Sequence, residues 1–159
     1  MALNAQILLS ILAHESDNGD ISQSLRATPA TYALALTDGT GANQAQVVWS
    51  DAGTATLAGV TLSLTALPTV IEGAAATVNL SSGMKCIYLR NKGIQSIAIS
   101  SANVSGLPSS GLSVRAGGAM VLVATTPSSY AATSLGPSIT LAGNDVDYDI
   151  VLIGEGTVT

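Results

Sequence analysis

Short apolar segments separated by turn residues recur along the whole chain. Residues 85–90 and 94–99 are two such segments, and the tripeptide Asn-Lys-Gly at 91–93 lies between them. Asn and Gly tolerate the positive φ of a tight turn, so this region predicts two strands joined as a hairpin. Residues 120–124 (Met-Val-Leu-Val-Ala) form the longest aliphatic run, which is typical of a strand buried on both faces.

Turn signals set the spacing of the predicted strands. They recur about every eight to twelve residues, and no long window has helical periodicity. This spacing favours an antiparallel arrangement over a parallel α/β sheet. We therefore predict an all-β fold, an antiparallel β-sandwich of jelly-roll type with an apolar N-terminal arm or strand. It would form one globular domain, with the arm at 1–30 and the sandwich at 31–159.

The first twelve residues are the segment with the least obvious place in a sandwich. Apolar side chains alternate with polar ones, which predicts a strand; they are Leu3, Ala5, Ile7, Leu9 and Ile11. A helix would instead place a different set on one face, namely Leu3, Ile7, Leu8, Ile11 and Leu12. We expect a strand, and we expect the second set to supply contacts with a neighbouring subunit or a capsid. An ordinary edge strand of the chain's own sandwich is the alternative.

The scarcity of charge limits the kinds of partner. Charged residues make up 9% of the chain and hydrophobic residues 47%, whereas about a quarter of the residues of ordinary globular domains are charged. A soluble fold with so few charges either has small, neutral side chains over much of its surface or has that surface covered by partners. The net charge of −5, with five basic residues, argues against nucleic acid and against anionic membranes.

The N-terminus and the apolar runs bear on localisation. No apolar run approaches the ~18–20 residues that a spanning helix needs, and the N-terminus lacks the basic residues of a signal peptide. We expect a soluble protein that is made in a cytoplasm.

Two clusters contain side chains that bind metals. His14 stands beside Glu15 and Asp17 but has no second His or Cys nearby, which makes a metal site a weak hypothesis. Asp145, Asp147 and Asp149 would share one strand face at steps of about 7 Å, and three carboxylates can bind calcium. The glycine turn and terminal Glu of an EF-hand loop are missing, however. The alternative is an exposed acidic face opposite a buried one formed by Val146, Tyr148 and Ile150.

Catalytic patterns are equally sparse. The single Cys86 lies in an apolar segment, so we predict a buried small side chain without a disulfide. The chain has no Gly-x-Ser-x-Gly motif, and its one His leaves a single candidate base. The Asp-Gly-Thr-Gly at 38–41 lacks the third glycine and the helix of a dinucleotide loop. We expect neither an enzyme nor a cofactor.

Several segments together resemble small structural proteins of tailed bacteriophages. They are Asp-Gly-Thr-Gly-Ala-Asn-Gln-Ala at 38–45, Val-Trp-Ser-Asp at 48–51, Lys-Cys-Ile-Tyr at 85–88, Val-Arg-Ala-Gly-Gly at 114–118 and Val-Leu-Ile-Gly at 151–154. The similarity extends over residues 31–154, and it is carried by the order and spacing of these segments. Residues 51–73 depart from it, because they are rich in Ala, Thr and Leu where acidic and basic residues are expected.

The resemblance implies a component of the virion. It implies a head decoration or cement protein that binds the major capsid protein on the capsid surface, stabilises the shell and assembles in the cytoplasm of a bacterial host. We expect a homo-oligomer, a dimer or trimer, because apolar surface left uncovered in a monomer favours aggregation. The alternative is a tail, baseplate, fibre or host-binding module, and a cellular carbohydrate-binding module or enzyme is disfavoured.

Overall fold

The computed structural model describes residues 2–11, 14–16, 24–26 and 30–159. Every regular element in these ranges is a strand, which confirms the all-β prediction. The strands are β1 (Asn4–Ile11), β2 (His14–Ser16), β3 (Ser24–Arg26), β4 (Ala30–Asp38), β5 (Gln44–Ala45), β6 (Val47–Ala55), β7 (Val60–Ser63), β8 (Leu67–Ile71), β9 (Ala74–Asn91), β10 (Ile97–Ala102), β11 (Leu112–Val114), β12 (Ala119–Val123), β13 (Ser138–Ala142) and β14 (Val146–Val158).

Two antiparallel sheets form the body of the protein. One is five-stranded, in the order β12-β9-β14-β6 with β8 paired to β9, and the other is four-stranded, in the order β11-β10-β13-β7. A single apolar core draws side chains from both sheets, including Ile87 and Leu152 from the first and Ile99 and Leu141 from the second. The body is therefore sandwich-like, as predicted, whereas a jelly-roll connectivity stays a prediction.

The longest pairing, between β9 and β14, follows from alternation in the sequence. Val146, Tyr148 and Ile150 are buried in the core, as the pattern predicted, and Asp147 between them is exposed. The register shifts twice, between Ile153 and Gly154 and between residues 155 and 157. These bulges end the simple alternation, so residues on both faces are buried at this end of β14.

The predicted hairpin at 85–99 is wrong. β9 lies in the five-stranded sheet and β10 in the four-stranded sheet, so the chain crosses from one layer to the other. Asn91, which is fully buried, holds the crossing: its Nδ2 donates to the carbonyls of Gln95 at 2.7 Å and Val114 at 3.0 Å. Its Oδ1 accepts from the amide of Gly93 at 2.9 Å. The turn residues were located correctly, but they join two sheets.

The prediction that residues 120–124 are buried on both faces is also wrong in extent. β12 is an edge strand, and its apolar side chains are half-buried. Met120 and Leu122 pack against the sandwich core, whereas Val121 and Val123 pack against a second cluster on the other side of the sheet. Each face of β12 therefore packs against an apolar cluster. Because β12 is at the edge of the sheet, the side chains on both faces also stay partly exposed to solvent.

The N-terminal segment forms a hairpin, which confirms the predicted strand. β1 pairs antiparallel with β4 from Asn4↔Thr37 to Ile11↔Ala30, and β5 adds a short parallel pairing to β4. β2 and β3 pair with each other. We call the β1–β4 hairpin the arm. It draws on residues from both sides of the predicted boundary at residue 30.

Candidate interaction surface

The base of the arm packs on the outer face of the five-stranded sheet. The second apolar cluster combines buried Leu34 and Leu36 of β4 with Cys86 and Ile153 of the sheet. Half-buried residues complete it, and these are Leu3, Ala5, Ile7, Val121, Val123 and Val151. The odd-numbered side chains of β1 and the even-numbered ones of β4 thus face the body, as the cross-strand pair Ile7↔Leu34 requires.

The outer half of the arm continues this apolar face without a partner among the described residues. Leu9 is 36% exposed, Tyr32 44% and Ile11 67%. Together with Thr31 they line a shallow cavity of about 270 Å³. We call Leu9, Ile11 and Tyr32 the apolar tip.

A single large side chain, Leu8, marks the opposite face of the arm. It is 66% exposed. Its neighbours on that face are Gln6 and Ser10, both polar and exposed. Residues 2–11 and 30–37 contain no charged side chain, so these two stretches of the arm are neutral on both faces. The last residue of β4, Asp38, is the nearest described charge, and its Oδ1 accepts from the amide of Leu3 at 3.4 Å.

A groove of about 440 Å³ lies at the start of β1. Its walls come from the first residues of the arm and from the ends of β6 and β14, namely Ala2, Leu3, Gln46, Val47, Val48, Gly156, Thr157 and Val158. Val48 and Val158 are each 44% exposed, which gives the groove an apolar floor open to solvent.

The predicted contact residues divide between the two halves of the arm. Leu3 and Ile7 are half-buried against the chain's own body, whereas Leu8 and Ile11 are exposed. They do not share one face, because the set was drawn from a helical pattern and the segment is a strand. Leu12 and the side chain of His14 lie outside the described residues. Leu9 and Tyr32 were missed, although the odd-numbered alternation already contained Leu9.

The candidate calcium residues do not share a strand face. Asp145 lies in the turn before β14 with φ of 53°, so the predicted arrangement of three aspartates on one strand is wrong. Asp147 Oδ1 accepts from Thr54 Oγ1 at 2.7 Å, and Asp149 Oδ1 pairs with Lys92 Nζ at 2.7 Å. Among the described residues no group of three or more His, Cys, Asp or Glu could bind a metal ion.

Cys86 is buried in the second apolar cluster, as predicted. Burial disfavours the thiolate and raises the pKa of the thiol from 9.0 to about 11. A thiol with this pKa is protonated and unreactive near neutral pH. Cys86 is therefore a packing residue in the base of the arm.

A buried ion pair, which the sequence did not suggest, joins the middle of β9 to the bulged part of β14. Lys85 Nζ is 2.9 Å from Glu155 Oε1, and the two side chains are 0% and 7% exposed. Lys85 also donates to the carbonyl of Thr126, and Glu155 accepts from the amide of Ser128 at 3.3 Å. The pair therefore ties the loop after β12 to the middle of β9 and the bulged part of β14. The sequence feature that could have indicated this pair is Lys85, a lysine inside an apolar segment.

Comparisons with known proteins identify no relative. No family model, no curated protein and no solved structure matches this chain. Within the described residues, no helix has the length and apolar character needed to cross a membrane.

Proposed function

We propose that this chain is a structural protein of a tailed-bacteriophage virion, a decoration or cement protein that binds the head shell. Its partner would be the major capsid protein, and it would act as a homo-oligomer on the capsid surface. The observation that supports this role is an arm whose residues 2–11 and 30–37 carry no charge and whose large apolar side chains are exposed on both faces. The resemblance of residues 31–154 to phage structural proteins supplies the biological setting.

The chemistry of the arm suits contact with other protein. Fully burying a Leu or Ile side chain contributes about 1.5–3 kcal/mol, and the exposed Leu8 and Ile11 both have most of this gain still to make. Residues 2–11 and 30–37 carry no charge, so covering these stretches strips no ion of its water. On a lattice of repeated sites, linked copies multiply a modest contact into firm attachment.

Leu8 is the residue through which we place the shell contact. The opposite face of the arm packs on the chain's own body, and Leu8 projects away from it. Nothing in the chain's own fold among the described residues requires an exposed leucine here, since its strand neighbours on that face are polar.

The test is to locate the polypeptide and to measure its binding to shells. Purified chain is mixed with empty heads of the phage that encodes it, and the bound fraction is measured by co-sedimentation. We expect saturable binding, reduced at least tenfold by Leu8→Lys. Leu135→Lys is the matched control, because Leu135 is 96% exposed and lies outside the arm. Heads lacking the protein should release DNA at a lower temperature.

Electron microscopy of intact particles separates the head from the tail. Density for the sandwich on the outer shell supports the proposal. Density at the tail, baseplate or fibres would contradict it and favour the alternative tail or host-binding role. Absence of the chain from purified particles would reject both.

A further inference from the structure

β1 presents an unpaired edge. The arm sheet has the order β1-β4-β5, so within the described residues β1 pairs with β4 on one side and with no strand on the other. An antiparallel ladder leaves the N–H and C=O of every second residue pointing outward at such an edge. Natural edge strands are usually blocked by charge, proline, a bulge or short length. β1 has eight residues, Asn-Ala-Gln-Ile-Leu-Leu-Ser-Ile, and none of these devices.

We propose that β1 pairs antiparallel with β1 of a second copy of this chain, around a two-fold axis near Ile7. The result is a dimer with a continuous sheet in the order β5-β4-β1-β1-β4-β5. This gives a geometry to the homo-oligomer in the proposed function, although the pairing itself does not require a virion.

The alternation of β1 fixes the register. Residues opposite each other in an antiparallel pair point to the same face, and a two-fold axis perpendicular to the sheet keeps the odd-numbered face on one side. Odd residues must therefore lie opposite odd residues. The two axes nearest the centre of β1 pass through Ile7 and Leu8. The axis at Ile7 also brings in Leu3, which precedes β1, so that Leu3 lies opposite Ile11 of the second copy and Ala5 opposite its Leu9; the axis at Leu8 leaves Leu3 without a partner.

This register places each apolar tip over the base of the other copy. The tip faces the same side as the second copy's body, because the odd-numbered face of β1 is the one that packs there. Beside Leu3 on that body lies the groove whose floor includes exposed Val48 and Val158. One contact thus covers two apolar features, the tip and the groove, which each chain leaves open by itself.

Charge also favours a second copy at this place. Two chains with a net charge of −5 repel each other, and the repulsion is weakest where their neutral segments meet. Residues 2–11 and 30–37 are such segments, since they contain no charged side chain. The nearest described charge is Asp38 at the end of β4, whose Oδ1 accepts from the amide of Leu3 at 3.4 Å.

Sedimentation equilibrium of the full chain tests the pairing. We expect a mass of twice 15.8 kDa. The double variant Leu9→Lys, Ile11→Lys places four ammonium groups in the contact and should raise the dissociation constant by about a hundredfold or more. The control is the double variant Ile94→Lys, Leu135→Lys. Both of these side chains are almost fully exposed, and both lie outside the arm. Circular dichroism verifies that each variant keeps its β structure.

Cysteine cross-linking tests the register. Ile7→Cys stands opposite itself across the axis and should form an intermolecular disulfide, whereas Ala5→Cys, about 14 Å from its symmetry mate at this register, should not. A mixture of Ala5→Cys and Leu9→Cys chains should form the mixed disulfide. Native Cys86 is buried and does not compete.

Three results would overturn the inference. They are a monomer at every concentration, a dimer whose dissociation constant is unchanged by Leu9→Lys, Ile11→Lys, and a disulfide that forms with Ala5→Cys alone as readily as with Ile7→Cys. None of these decides the virion role, which is tested through Leu8 on the other face. Conversely, a chain that dimerises as described but is absent from particles would retain the dimer and lose the proposed function.

Discussion

Lys85 and Cys86 are adjacent in β9 and serve different parts of the fold. Lys85 reaches Glu155 and the loop after β12, whereas Cys86 packs beneath the arm. A strand places consecutive side chains on opposite faces, so this division follows from the backbone. Substituting each residue, or its partner, should therefore change the stability of the fold in a different way.

Cys86 should make the protein sensitive to alkali. Between pH 9 and about 11 an unfolded chain ionises its thiol, while the folded chain keeps it protonated because burial raises the pKa of Cys86 to about 11. The free energy of unfolding should therefore fall as pH rises through this window. Its contribution is complete below pH 9 and lost by about pH 11. Urea denaturation of wild type and Cys86→Ala across this range measures the slope.

The comparison with Cys86→Ala measures the thiol together with its coupling to Tyr130. Burial raises the pKa of Tyr148 and of Tyr130, and the charge of an ionised Cys86 raises the pKa of Tyr130 further. Both contributions of Cys86 steepen the decline in the wild type. A steeper decline in wild type than in the variant is expected. Equal slopes would mean that the thiol at the base of the arm is hydrated.

Glu155→Gln should be strongly destabilising. It leaves the fully buried Lys85 ammonium without its counter-charge, and breaking a buried pair from one side costs about 3–5 kcal/mol. Asp149→Asn is the matched control, because the Lys92–Asp149 pair has a similar distance of 2.7 Å but side chains 38% and 35% exposed. That change should cost less than about 1 kcal/mol. Equilibrium urea denaturation gives both values, and similar losses would argue against burial as the cause.

At the scale of elements, the bulged end of the β9–β14 pair depends on glycines that allow backbones to approach. A Cβ on Gly154 would overlap the carbonyl of Gly83, and one on Gly156 would overlap the carbonyl of Asn79. Neither glycine has a positive φ, so space rather than backbone conformation requires them. Glu155, which pairs with Lys85, lies between the two glycines.

Gly156→Ala should therefore open this end of the sheet. Overpacking of this kind costs about 1–3 kcal/mol, and here the obstacle is backbone, which cannot rotate away. Thr157→Ala, an exposed change at the next residue, should stay within about 1 kcal/mol. Thermal unfolding of both variants makes the comparison. A neutral Gly156→Ala would show that the strands can separate locally without loss.

The elements also show where sequence reasoning reaches its limit. Alternation located β14 and its buried Val146, Tyr148 and Ile150 correctly, because the period of two is a local property of the strand. The turn residues at 91–93, in contrast, led to the wrong prediction of a hairpin. A turn between paired strands and a turn between layers use the same residue types, and the bonds of Asn91 to Gln95 and Val114 depend on where β11 lies.

At the scale of the whole molecule, the distribution of charge governs association. Acidic side chains such as Asp147 and Asp149 lie on the sandwich, while residues 2–11 and 30–37 of the arm carry no charge. A contact through these two stretches contains no ion pairs for salt to weaken. The remaining electrostatic force between copies is repulsion between two chains of net charge −5.

Dimerisation should accordingly strengthen when salt is added. Raising NaCl from about 0.1 M to about 1 M shortens the screening length from about 10 Å to about 3 Å and suppresses the repulsion. We expect the dissociation constant, measured by sedimentation equilibrium, to fall severalfold. A dimer that dissociates as salt rises would require ion pairs in the contact and would exclude the neutral arm as its main component.

The amino-acid sequence alone is enough to predict that this chain is built of strands, that Cys86 is buried and that the N-terminal segment is apolar and uncharged. These properties follow from local alternation and composition. The tertiary structure decided which sheet each strand joins, that Lys85 meets Glu155, and that the arm leaves Leu8, Leu9 and Ile11 exposed. Such outcomes depend on contacts between residues far apart in sequence, because the side chain that covers a strand, or fails to cover it, is contributed by another part of the fold.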